Sequence, residues 1–169
     1  METRSMRRSE RPASVAERRA ALRVLQHWRL VSGSRPFPSR GDIDPVAIAA
    51  DWKNCFILDL TDRADGPRFL YLGPALRGAG WNDRVGRRLS DCPPGTILSL
   101  ATSHANRVLE TRLPVSHGGS ATHDGHPVLF RSILLPLSED GEAIDALLGS
   151  ATFRRLEQSR RITVEDTRS

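Results

Sequence analysis

What most constrains the fold is the order in which the hydrophobic pattern changes period along the chain. Residues 55–60 form a short apolar run, closed by the turn signal Asp65-Gly66, and residues 68–72 form a second. Runs of that length on either side of such a turn predict a β-hairpin. Residues 96–110 then switch to helical spacing, with Ile97, Leu100, Ala101, His104, Ala105 and Val108 on one face. Three more strand-like runs follow, at 112–117, 128–137 and 143–153. A Gly/His loop is expected at 118–127, and Asp140-Gly141 is expected to make a tight hairpin turn. Two groups of strands flanking a helical stretch do not alternate as parallel α/β units do. They predict an α+β chain with one antiparallel sheet.

A helix is expected ahead of the strands, over residues 14–32. Ser14 and Glu17 have the spacing of a capping box, and Gly33 supplies the stop. Ala21, Val24, Leu25, Trp28 and Val31 recur every three or four residues as one apolar stripe. That stripe must cover either the chain's own sheet or a second copy of itself. After the rigid connector Pro36-Phe37-Pro38, Asp44-Pro45 predicts an N-cap and first helical residue, with Ile43 and Ile48 placed as a hydrophobic staple. This second helix is expected to end near Trp52. Residues 73–91 are glycine-rich and aperiodic, which predicts small helical turns and loops.

Hydrophobic residues make up 38% of the 169 residues and charged residues 27%, the balance of a globular domain; aromatics are only 5%, so the core must be mostly aliphatic. No run approaches the ~18 apolar residues of a membrane helix, and the basic start has no apolar stretch after it. A cytoplasmic protein is expected. The net charge of +5 rests almost wholly on arginine, with Lys53 the sole lysine, and 20 acidic residues are interspersed. Arginines 4, 7, 8 and 11 near the start and 154, 155, 160 and 161 near the end are the one-sided stretches. An arginine-rich adaptor for nucleic acid is the alternative those stretches raise, and solvated tails are their plainer account. The expected organisation is a basic disordered tail over 1–13, a helix over 14–33, a domain over 34–155 and a disordered tail over 156–169. Cys55 and Cys92 have no metal spacing and read as buried or half-buried free thiols.

Three places then carry a family resemblance. Residues 38–45 (Pro-Ser-Arg-Gly-Asp-Ile-Asp-Pro) are similar to an entry motif, and residues 68–76 with Gly86-Arg87 to a second strand and glycine-marked turn. Residues 135–141, with Ile144-Asp145 and 147–149, are similar to a final hairpin. In this order they resemble the PAS family, and within it a bacterial subgroup of small stand-alone PAS proteins. The resemblance spans roughly 35–153. It implies a five-stranded antiparallel sheet with helices on one face, the N-terminal helix being extra. It also implies a sensory or regulatory module acting through protein–protein contact, with an unidentified signalling protein and a homodimer as partners and a small-molecule ligand as a further one. PAS-like proteins often dimerise through such a helix, which makes Val24, Leu25, Trp28 and Val31 the dimer-contact candidates.

In such a fold the helix carrying His104 covers the internal pocket. His104, Tyr71 and Trp81 are therefore the pocket candidates, each joining a ring to a polar tip. His117, His123, Asp124 and His126 offer imidazole and carboxylate to a metal, but Asp124-Gly125 is a turn signal and no metal is expected. No haem or flavin signature is present, so no cofactor is expected. No nucleophile elbow, H-E-x-x-H pair or phosphate loop occurs either, and no catalytic residue is assigned. The chain reads as a non-enzyme.

Overall fold

The computed structural model of the chain describes residues 15–77 and 86–157. Helix α1 runs Val15–Ser32, and the short α2 runs Ala49–Trp52. Strands β1 (Cys55–Asp59) and β2 (Arg68–Leu72) follow, then α3 (Ile97–Ala101) and α4 (Ala105–Thr111). Strands β3 (Val115–His123), β4 (His126–Leu137) and β5 (Ala146–Arg155) complete one sheet, ordered β2-β1-β5-β4-β3 with every neighbour antiparallel. Among the described residues no helix is long and apolar enough to cross a membrane.

The expected five-stranded antiparallel sheet is present, with α3 and α4 on one face and the extra N-terminal helix on the other. Strand side chains alternate, so a central strand serves two cores. Phe56, Leu58, Phe69, Phe130, Leu134, Leu147 and Ala151 point to the inner face, where Ile97, Leu98, Ala101 and Val108 of α3 and α4 cover them. Ile133, Leu135, Leu137, Ala146 and Leu148 point to the outer face, where Val24, Trp28, Phe37, Ile43 and Ile48 cover them. Ile43 and Ile48 bury into one cluster, but not as a staple: α2 begins only at Ala49 with Ile48 at its N-cap, and Asp44 Oδ1 accepts the Val46 N–H (2.9 Å) in a turn ahead of it.

Helix α1 therefore covers its own sheet. Val24 is wholly buried and Trp28 nearly so, with Leu25 and Val31 half-buried beside them. The four residues offered as dimer contacts are used within the chain, because β4 and β5 present an apolar outer face that α1 covers together with Phe37, Ile43 and Ile48. The buried stripe also takes in Glu17, whose carboxylate lies 3.6 Å from Arg154 Nε on β5. Ser14, the other half of the expected capping box, lies outside the described residues.

Three further differences have local causes. The expected helix 96–110 breaks in two, because Thr102 Oγ1 donates to the Leu98 carbonyl (2.6 Å) and Ser103 Oγ to that of Leu100 (2.6 Å). Such side-chain bonds compete with the backbone ladder. The expected loop 118–127 is mostly strand: the hairpin turns at Asp124 (φ 49°) and Gly125 (φ 75°), and β3 extends to His123. The Asp140-Gly141 turn is wider than a tight hairpin, since Asp140 Oδ1 accepts from the backbone N–H groups of Glu142 and Ala143 and so organises a longer loop.

Candidate functional site

The inner face holds the chemistry nearest to that expected. His104 stands at the break between α3 and α4, half-buried, as the residue capping α4. Its ring lies 4.2 Å, centroid to centroid, from that of His117 on β3, and His117 in turn meets the edge of Phe130 at 5.5 Å. The two imidazoles thus fasten the helical layer to the edge of the sheet. Burial, and then the neighbouring His104, hold the His117 imidazole below its ordinary pKa. His117 can take up a proton only against desolvation and the nearby His104.

Beside it the face is packed with rings. Phe56 and Phe69 meet edge to face at 6.0 Å, and Phe56 lies over Gly149, where any Cβ would fall 2.0 Å from its Cζ. Gly149 is therefore the one position on β5 that admits this ring.

Tyr71 is placed elsewhere. A bulge between Ile57 and Leu58 leaves Leu70 unmatched, so Tyr71 opposes Ile57 and faces the outer layer. It stacks on Trp52 at 4.3 Å and 10°, and its hydroxyl donates to the Trp52 carbonyl at 3.0 Å. Its role is corrected from pocket lining to outer-face packing. Trp81 lies outside the described residues, and of the two described pocket candidates only His104 is on the inner face.

The remaining histidines do not converge. His123 packs its ring on Phe153 at 4.4 Å, His126 is exposed beside the hairpin turn, and His117 turns to His104. Among the described residues no three His, Cys, Asp or Glu side chains gather as a metal-binding group. Cys55 and Cys92 are buried free thiols; burial pushes Cys55 up to about 12 and Cys92 up to about 11.

A second polar cluster was not legible in the sequence. Between α1 and residues 47–51 lies a groove of about 340 Å³ lined by Arg23, Gln26, His27, Leu30, Ala47, Ile48, Ala50 and Asp51. Arg23 grips the buried Asp51 carboxylate through both Nε (2.8 Å) and Nη2 (2.6 Å). His27, itself buried, accepts the Asp44 backbone N–H at 3.0 Å. These contacts hold α1 to the segment that leads into β1. No local pattern announces a pair 28 residues apart.

A sequence model of the PAS domain family matches residues 16–152, a span that includes α1. Among curated proteins none matches the chain. Of solved structures, a LOV protein of Rhodobacter sphaeroides is similar at 17% identity and a TM-score of 0.43, over 63% of this chain. The chain spans 61% of that protein's length. A fungal LOV domain photoreceptor is similar at 19% identity and a TM-score of 0.42, over 76% of this chain and 90% of the other.

Proposed function

The chain belongs to the PAS domain family, and on that premise we propose that it is a non-catalytic sensory module. A change at the inner face is relayed through the sheet to α1. The observation that carries this reading is the two-sided use of β4 and β5. Leu134 and Leu147 pack under α3 and α4, while their chain neighbours Leu135 and Leu148 pack under α1. Interiors are close-packed, so a shift on one face displaces the other. The input is a small molecule or a proton at the α3–α4 face, next to the His104–His117 contact. The output is contact with a signalling protein, supported by Val15, Leu22 and Leu30, which α1 keeps in solvent. Burial holds both free thiols protonated, so neither is an activated nucleophile.

A metabolite library screened against the full chain by thermal shift, with hits followed by amide NMR, tests the reading. A binder that moves both inner-face and α1 resonances and is recovered unchanged supports it. Turnover of the hit overturns the non-catalytic assignment. Shifts confined to the inner face overturn the relay.

A further inference from the structure

Strands β2 and β3 are the two edges of the sheet, and the chain treats them differently. Beyond β2 the backbone is bonded onward: Phe69 N–H donates to the Arg87 carbonyl (2.9 Å), and Gly86 N–H donates to that of Phe69 (2.9 Å). Arg68 and Arg88 converge on Asp65 there, at 2.8 and 3.5 Å, adding charge to a covered edge. Covering and charging are how sheets prevent edge pairing.

The outer edge of β3 has neither protection over most of its length. The two-residue turn pairs His123 with His126, which fixes the phase of the hairpin. Odd-numbered residues bond to β4, and the N–H and C=O groups of Ser116, Gly118, Ser120 and Thr122 point outward. Thr122 N–H donates to the Gly95 carbonyl at 2.8 Å. No backbone bond among the described residues reaches outward from Ser116, Gly118 or Ser120, and all three are exposed. Residues 115–121 contain no Lys, Arg, Asp or Glu, in a chain whose net charge is +5.

We propose that this edge binds a second copy of the chain, β3 antiparallel to β3 about a two-fold axis through Gly118. In that register Ser116 opposes Ser120 of the partner subunit, Gly118 opposes its own copy, and each pair exchanges both backbone hydrogen bonds. The pairing limits itself. Thr122 is already engaged by Gly95, and Pro114 has no N–H to offer. A second copy is the occupant because an uncharged strand meets itself without the repulsion that a net charge of +5 imposes on other self-contacts. The two-fold register also uses every free position on both strands. This goes beyond the sensory reading, which stands or falls on ligand binding rather than on this edge.

Sedimentation of the full chain at tens of micromolar should give a dimer. Ser116→Lys with Ser120→Lys sets lysine against lysine across the axis and should weaken association at least tenfold. Ser116→Lys with Ser120→Glu sets each lysine against a glutamate of the partner subunit and should restore the dimer. Circular dichroism should be unchanged in both, since the substituted side chains are exposed. A monomeric wild type, a double-lysine variant that still dimerises, or a Lys/Glu variant that stays monomeric each overturns the proposal. Should the double-lysine variant fail to fold, amide exchange in the wild type decides. The amides of Ser116, Gly118 and Ser120 must slow as concentration rises, and equal rates at low and high concentration overturn the assignment.

Discussion

The indole Nε1–H of Trp28 on α1 donates a hydrogen bond of 2.8 Å to the carbonyl of Pro136 on β4. The bond is buried and joins residues 108 positions apart. It fixes both the depth and the rotation of α1 on the outer face, which makes the helix part of the domain. Trp28→Ala is expected to cost about 3–5 kcal/mol by urea denaturation, because it opens a cavity under the helix. Trp28→Phe keeps most of the ring but leaves a buried carbonyl unpaired, at about 1–2 kcal/mol. A Trp28→Phe variant as stable as the wild type would mean that the hydrogen bond contributes nothing.

Gly149 is expected to reject any side chain. A Cβ there falls 2.0 Å from Phe56 Cζ, so Gly149→Ala forces the ring off its place at a cost of about 1–3 kcal/mol. Phe56→Leu is destabilising alone, yet should recover part of the Gly149→Ala loss when the two are combined. A double-mutant cycle with no coupling would show that the two residues do not touch.

Acid should loosen the inner face. The His117 imidazole is held below its ordinary 6.5 by burial and by His104, so the unfolded chain binds the proton more readily. The resulting stability is present above pH 6.5 and is lost as pH falls from there through the lower folded value. His117→Gln should flatten this part of the stability–pH curve. A slope unchanged by the substitution would assign the acid sensitivity to another group.

Thiol labelling gives a simple readout of folding. Burial holds Cys55 near 12 and Cys92 near 11, so neither should react with a thiolate-selective reagent at neutral pH while the chain is folded. Both should react in urea across the unfolding transition. Fast labelling of the native protein would contradict the burial of these two side chains.

Much of the fold was legible because its signals are local. Period alone located α1, β1, β2 and the cores of β4 and β5, and their order gave the antiparallel sheet. The parts that were not legible depend on contacts distant in sequence or on competition within a turn. Gly118-Gly119-Ser120 reads as loop by propensity, but β4 supplies a partner for each of these residues, and tertiary pairing overrides the preference. At the Thr102–His104 break two hydroxyls bond back to the Leu98 and Leu100 carbonyls, which also accept backbone N–H groups, and a periodic stripe carries no sign of this. One unmatched residue in β2 turned Tyr71 to the opposite face, a shift that no alternation rule can foresee. Of the candidate site, His104 lies in the layer over the inner face, but at a helix break rather than on the continuous stripe that was expected. Its contact with His117, like the Arg23–Asp51 pair, exists only once the chain has folded back on itself.

The central claim is that the inner face and α1 act as one unit across the sheet, and the Trp28 indole proton reports on it directly. In a two-dimensional amide spectrum, with that resonance assigned by its loss in Trp28→Phe, the full chain is titrated from pH 8 downward while the His117 ring is followed in parallel. The relay predicts that the indole proton, bonded to Pro136 on the far face, moves with the same midpoint as His117, and that His117→Gln abolishes the movement. An indole resonance that stays in place while His117 titrates would show that the two faces are independent, and the relay would be wrong.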